Sequence, residues 1–266
     1  MNDNAIKIDA FGLTDVGQVR EHNEDSIDWD TERGMFILAD GMGGHNAGEV
    51  ASALAIESIK HALYDVLTPE IIDSEIVDYN DALYEAITYA NTEIFEQALE
   101  NSEYTGMGTT LVMSLIHGHK ALIANVGDSR MYVNNGSTLK QLTTDHSLVQ
   151  EMVDNGYLSE EEAYSAVSRN LITRALGISE DVDVDLIEHE IQPGDVFLLC
   201  SDGLSDLVLD EEISAILIDN VGSLNDAAIQ LVAAANARGG KDNISVILMT
   251  MRAAFSDDNG YEGSVG

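Results

Sequence analysis

The sequence holds a single cysteine, Cys200, and only two prolines, Pro69 and Pro193, in 266 residues. One thiol cannot close an intramolecular disulfide, so a reducing compartment is the expected setting. No Ser/Gly/Pro-rich linker divides the chain and no repeat of fixed period is visible, so one domain is expected over residues 1–252. Residues 253–266 are polar, acidic and without periodicity, and read as a flexible tail. No window approaches 18 consecutive apolar residues, which argues against a membrane-spanning helix. The stretch MNDNAIKIDAFG lacks the basic and apolar segments of a signal peptide, so the cytoplasm is the expected location. Cations are scarce too. There are 12 Lys+Arg against 48 Asp+Glu, a formal net charge of -36. Such a chain repels nucleic acid and anionic membrane surfaces, and neither is expected as a partner.

What is present is a globular pattern, with hydrophobic residues at 45%. Short apolar runs read as strands near residues 7–12, 34–39, 108–117, 119–126, 130–134, 138–142, 184–190, 195–200 and 244–251. His117-Gly118-His119 and Asn134-Asn135-Gly136-Ser137 read as hairpin turns, because Gly and Asn tolerate positive φ. Helical periodicity covers about 47–67 and 74–100, and shorter helices are expected near 210–219 and 223–237. Hairpin-rich strands between groups of helices favour an α+β fold with antiparallel sheets.

One pattern recurs. An apolar strand ends in an acid that is often followed by glycine. Met35–Ala39 leads to Asp40-Gly41, Leu122–Gly127 to Asp128, and Val196–Ser201 to Asp202-Gly203, while Gly239-Gly240-Lys241 presents Asp242 before the final strand. Asp-Gly after a strand is also ordinary turn chemistry, so the weight lies in the repetition. Carboxylates at strand mouths are costly unless something cationic pairs with them. Four brought to one rim would form an oxygen-only site suited to hard divalent ions, Mg2+ or Mn2+. Arg20, Arg130, Arg169, Arg174 and Lys241 lie beside these motifs. Of these, Arg20 is favoured as a phosphate ligand, since guanidinium holds phosphate bidentately. Simple pairing with acids is at least as good a reading for Arg130, Arg169 and Arg174.

Eight segments, in order across about residues 12–250, resemble the metal-dependent PPM family, the protein phosphatase 2C type of serine/threonine phosphatase, in a bacterial form. They are Arg20-Glu21-His22-Asn23-Glu24-Asp25-Ser26, the stretch from Ala39-Asp40-Gly41-Met42 through Gly48-Glu49-Val50-Ala51-Ser52, and Gly108-Thr109-Thr110. The others are Asn125-Val126-Gly127-Asp128-Ser129-Arg130, Leu142-Thr143-Thr144-Asp145-His146-Ser147, Ile172–Gly177, Cys200–Leu204 and Gly239–Ser245.

The resemblance implies a four-layer α-β-β-α sandwich, with two antiparallel sheets flanked by helices. It implies hydrolysis of phosphoserine and phosphothreonine in proteins by a water or hydroxide bridging two Mn2+ or Mg2+ ions. Asp40 would bridge the two core ions, the Gly41 carbonyl would hold one, and Asp202 and Asp242 would complete the first. Asp128, with Asp202, would hold a third, weaker ion. Glu24 and Asp25 would act through waters on the metals, and Arg20 would bind the substrate phosphate. Residues 145–169 would form a flap. Partners would be phosphorylated proteins and a cognate serine/threonine kinase, with the enzyme a cytoplasmic monomer.

Two departures stand out. Eukaryotic relatives carry a histidine where this chain has Met42, and His45 lies three residues on, so the proton donor to the leaving group is unassigned. Related bacterial chains often carry His-Pro-His before Arg-Asn, whereas Ala166-Val167-Ser168 precede Arg169-Asn170 here. Two alternatives are a catalytically inactive phosphoprotein-binding module on the same fold and a small-molecule phosphate hydrolase. Cys200, inside an apolar strand, reads as an inert buried thiol. His117 and His119 lack a third partner nearby in sequence and do not make a zinc site.

Overall fold

The structure is a computed structural model that describes residues 6–44, 47–67, 78–159, 162 and 171–253. His45, Arg169, the departure at 166–168 and the tail after residue 253 lie outside the described residues, as does much of the expected flap. Eleven strands are described: β1 (Ile6–Asp15), β2 (Asp25–Asp30), β3 (Met35–Met42), β4 (Gly108–Thr109), β5 (Leu111–His117), β6 (Lys120–Val126), β7 (Arg130–Asn134), β8 (Leu139–Gln141), β9 (Asp185–Glu190), β10 (Val196–Cys200) and β11 (Ile244–Ala253). The described helices are α1 (Ala47–Leu63), α2 (Tyr79–Glu100), α3 (Leu148–Asp154), α4 (Asp202–Ser205), α5 (Asp210–Asp219) and α6 (Leu224–Ala237).

The strands form two antiparallel sheets. One has the order β1-β11-β10-β7-β8, and the other β2-β3-β5-β6-β9 with β4 added against β3. The expected turns close hairpins, with His117 opposite Lys120 and Asn134 opposite Leu139. The second turn is organised by the Asn135 Oδ1, which accepts from the backbone N–H groups of Ser137 and Thr138.

Strands buried on both faces create the layers. Along β3, Phe36 and Leu38 point into the space between the sheets, whereas Met35, Ile37 and Ala39 pack beneath α1 and α2. Along β10, Phe197 and Leu199 meet the same central layer, while Leu198 and Cys200 face α5 and α6. That two-sided burial is why both strands are continuous apolar runs rather than alternating ones. Each outer layer is a helix pair burying one stripe, such as Leu83, Ile87, Ala90 and Ile94 of α2. The expected α-β-β-α sandwich is the observed architecture.

Some boundaries differ from the sequence reading. Helix α1 stops at Leu63, and its backbone closes into a turn where Val66 N–H and Leu67 N–H both reach the Leu63 carbonyl. Helix α2 starts at Tyr79 because the Asp78 side chain accepts from the N–H groups of Asn80 and Asp81, an N-cap. The run at 108–117 breaks at Thr110, whose N–H turns to the Asp40 carbonyl. Strand β2 and helix α3 were not anticipated. The β2 sequence DSIDWD has four acids or hydroxyls in six positions, so its alternating Ile27 and Trp29 are easy to overlook.

Candidate functional site

The acids singled out in the sequence meet at the rim where the two sheets face each other. Asp25 on β2 lies directly opposite Asp40 on β3, and such cross-strand partners have Cβ atoms about 4.5–5.5 Å apart. The other sheet sends Ser201, at the end of β10, across to them, and its Oγ donates to Asp25 Oδ2 at 2.8 Å. Asp202 follows at once, and Asp242 stands in the turn that enters β11. Asp128 caps the mouth of β6.

The threonines of the Gly108-Thr109-Thr110 motif fix the Asp40 backbone. Thr110 N–H and Thr109 Oγ1 both donate to the Asp40 carbonyl, at 2.8 and 2.9 Å, and Asp40 N–H donates to Thr110 Oγ1 at 3.1 Å. Thr110 Oγ1 also shares a 2.7 Å hydrogen bond with Ser129 Oγ, beside Asp128. Two glycines make the packing possible. Gly127 holds a φ of +113°, and a Cβ there would meet Thr110 Cβ at 2.7 Å. A Cβ on Gly203 would sit 1.9 Å from the Asn243 carbonyl oxygen, so the Asp202 and Asp242 turns can close together only over glycine.

The electrostatics follow from crowding. Burial, then the charges of Asp25, Asp202, Asp128 and Asp242, raise the Asp40 carboxyl well above the usual carboxylate range. Asp202 is raised likewise, by burial and then by Asp128, Asp242 and Asp206. Burial pushes Asp25 up to about 6, against opposing hydrogen bonds from Ser245 and Ser201. Burial and Asp145 push Asp128 up to about 7. Asp40 and Asp202 keep a solvent-facing edge although protein atoms pack densely around them.

Buried carboxylates crowded together in this way call for a compensating positive charge. Two buried oxygens, Asp25 Oδ1 and Asp202 Oδ1, have no hydrogen-bond partner among the described residues. Oxygen-only donors, unpaired negative charge and orphaned buried acceptors suit a hard divalent cation. Among the described residues no three of these side chains are already closed around one point as a metal-holding group.

The β1–β2 loop supplies the cation. Arg20 donates through Nη2 to Asp242 Oδ2 at 2.7 Å and lies 3.9 Å from Glu24 through Nη1. Burial works against its charge, but Asp242 and Glu24 more than offset this and hold its pKa above the ordinary value. Its side chain is 47% exposed, so part of its donor fork faces outward. Glu24, whose carboxyl is raised mainly by burial and lowered by Arg20, accepts the Gly48 N–H in the first turn of α1.

Asn243 pins this loop. Its Nδ2 donates to the Val16 and His22 carbonyls at 3.0 and 2.9 Å, and its Oδ1 accepts the Glu24 N–H at 2.8 Å. Asn243 is 3% exposed, so removing it strands buried backbone groups. Asn243→Ala is expected to cost about 2–4 kcal/mol in urea unfolding, because each lost buried partner leaves a desolvated group. With the Arg20 loop loosened, KM for a phosphopeptide is expected to rise more than kcat falls. An unchanged KM in the folded variant would refute the link to Arg20.

Of the other basic residues singled out in the sequence, Arg130 and Arg174 pair with acids. Arg130 grips both Asp145 oxygens and the Tyr132 hydroxyl. Arg174 pairs with Asp185 at 2.8 Å. Cys200 is fully buried, and burial pushes its thiol up to about 12, so it is inert at neutral pH. His117 packs on the Tyr79 ring with centroids 4.6 Å apart. Three residues to which the sequence assigns no part in the acid ring bear on it. Asp206 raises both Asp128 and Asp202, and its spacing of four from Asp202 is the signal that could have shown it. Asp145 raises Asp128 while clamping Arg130. His146 accepts the Gly127 N–H through Nδ1 at 3.1 Å and so steadies the Asp128 turn.

The family model described as Protein phosphatase 2C matches residues 17–248. The serine/threonine phosphatase stp of Listeria monocytogenes is 39% identical over 239 residues, covering 89% of this chain and 93% of that protein. Protein phosphatase PhpP of Streptococcus pneumoniae is 37% identical over 244 residues, covering 90% of this chain and 96% of that protein. Among solved structures, the Mycobacterium tuberculosis serine/threonine phosphatase PstP/Ppp superposes with a TM-score of 0.81 at 38% identity, covering 91% of this chain and 98% of that one. The catalytic domain of PstP in complex with 2 manganese ions also gives 0.81, at 36% identity, covering 93% and 99%. With the motifs in order, the layered fold reproduced and most of the chain matched, this protein belongs to the protein phosphatase 2C family.

Proposed function

We propose that this chain is a manganese- or magnesium-dependent phosphatase that hydrolyses phosphoserine and phosphothreonine in proteins. The observation that carries this is the ring of Asp40, Asp202, Asp242 and Asp128 at one sheet rim, short of positive charge and with Arg20 at its edge. Asp40, the Gly41 carbonyl, Asp202 and Asp242 are assigned to the two core ions, and Asp128 with Asp202 to a third. Glu24 and Asp25 would act through water on those ions. Bound there, divalent ions supply Lewis acidity toward the phosphoryl oxygens and a water acidic enough to act as nucleophile near neutral pH.

The chain's own residues set the rest. Arg20 keeps one nitrogen on Asp242 and offers its remaining donors to phosphate oxygens, fixing the phosphorus beside the acids. Its link to Asp242 ties phosphate position to metal position. Hydrolysis forms one water–phosphorus bond and breaks the bond to the serine or threonine oxygen, which takes up a proton. Met42 cannot give that proton.

We further read residues 1–252 as one catalytic domain, supported by the pairing of β1 with β11 from opposite ends of the sequence. Substrates are phosphoproteins, and a serine/threonine kinase must supply them. We place the protein in the cytoplasm as a monomer. A lone buried cysteine supports the first, and a site built wholly from one chain supports the second. Among the described residues no helix is long and apolar enough to cross a membrane.

The test is phosphate release from a phosphothreonine peptide by EDTA-stripped protein, with and without Mn2+, beside Asp202→Asn. Release only with metal, and not by the variant, is expected. Mn2+ binding without release from wild type would move the reading to a binding module or a non-protein substrate.

A further inference from the structure

A groove lies beside the acid ring, and no part of the catalytic site uses it. A cavity of about 800 Å³ opens between the first turns of α1 and the 3-10 turn Ser102–Tyr104. Both walls are tied to the strand that carries Asp40. The α1 wall begins where Ala47 N–H reaches the Gly44 carbonyl, just past β3, and Glu24 holds the Gly48 N–H. The other wall leads through Met107, whose N–H bonds the Tyr104 carbonyl, into β4, which pairs with Gly41 and Met42. The groove therefore borders the segments that hold the Asp40 strand in place.

The lining has two parts. Ala47 is buried and Val50 and Tyr104 half-buried, forming an apolar floor, whereas Glu49 and Glu103 stand exposed on facing rims. Neither carboxylate has an ion pair among the described residues. Beyond Ala53 a smaller cavity of about 420 Å³ continues along α1 toward Lys60, which is already paired with Asp28. Among the described residues lining the trough the free charge is thus negative, with Glu57 adding to it.

We propose that this groove receives the chain flanking the phosphoresidue of a protein substrate, and that it selects a lysine or arginine there. The aliphatic stem of such a side chain covers Val50 and Ala53. Its charged head sits between Glu49 and Glu103 and meets the face of Tyr104. This deepens the phosphatase reading and rests on it. The net charge of -36 attracts cationic proteins in general, and the groove offers that attraction a defined place between Glu49 and Glu103. Glu49 also lies in the first turn of α1, where an acid favours the helix dipole, so its substitution perturbs stability slightly as well.

The test compares phosphothreonine peptides with neutral flanks to a series in which one arginine is walked through the flanking positions. The readout is the ratio of kcat/KM to that of the neutral peptide, which cancels any general loss of folded enzyme. Wild type is expected to favour one position by about tenfold, mostly through KM, as two exposed ion pairs and a covered stem allow. In Glu49→Gln/Glu103→Gln that ratio is expected to fall to about twofold or less, and about 0.5 M salt is expected to do the same to wild type. A flat profile, or a peak that survives in the double variant, overturns the proposal while leaving the phosphatase intact. Failure to release phosphate from any peptide, with Mn2+ bound, overturns the phosphatase reading and this proposal with it.

Discussion

Asp40→Asn is expected to lower kcat on a phosphothreonine peptide by at least about a thousandfold, the equivalent of about 4 kcal/mol of barrier. The substitution keeps the shape of the side chain and leaves its backbone bonds to Thr109 and Thr110 untouched. What it removes is the charge at the centre of the ring, the one that feels Asp25, Asp202, Asp128 and Asp242 together. Calorimetric titration with Mn2+ is expected to show both core ions weakened. Asp128→Asn, at the mouth of β6, is expected to weaken only a third, looser ion and to lower kcat by about tenfold. Without metal the effect on stability reverses. Deleting a buried carboxylate from a repelling cluster relieves desolvation and repulsion, so metal-free Asp40→Asn is expected to melt above metal-free wild type. That higher melting point separates loss of chemistry from loss of fold. Unchanged core-ion binding in Asp40→Asn would contradict the bridging role assigned to it.

The sequence disclosed the layers and most of the ring because both depend on local patterns. Runs such as Met35–Ala39 and Val196–Cys200 are apolar at every position, which only two-sided burial explains. Each ends in the acid it positions. What stayed hidden depends on pairing between distant segments. Strand β2 is polar at alternate positions and exists because β3 offers it an edge and α1 covers it, with Ser26 and Ser52 sharing a 2.9 Å hydrogen bond. The motif residue Asn243 is visible in the sequence, but its three bonds reach back more than 200 positions to the Arg20 loop. Arg130 could not be divided between phosphate and carboxylate until Asp145 was placed beside it. The Glu49–Glu103 groove joins residues whose elements meet only because α1 and α2 pack together. Periodicity locates elements, and tertiary pairing decides which side chains share a site.

Stability is expected to depend on pH in opposite ways with and without metal. In the metal-free protein Asp25 titrates near 6 and Asp128 near 7, against 3.8 for an ordinary aspartate, with burial the main cause. The folded state therefore holds protons that the unfolded chain has released, and ∂ΔG/∂pH is negative across that interval. Their contribution is complete below about pH 4 and is lost as pH rises through about 6–7. A divalent cation competes for the same oxygens and binds only as the protons leave, so its stabilisation grows with pH. Melting in EDTA is expected to fall between about pH 5 and about pH 8, while melting in excess Mn2+ stays level or rises. At neutral pH the gap is expected to reach about 5–10 °C, taking Mn2+ at about 100 times its dissociation constant. Asp25→Asn and Asp128→Asn should each flatten the EDTA curve, since each removes one of the titrating groups. Parallel curves with and without Mn2+ would mean that the ring is not where the ion binds. A gap that opens with pH in wild type and narrows in Asp40→Asn ties the metal, the protons and the acid ring to one place.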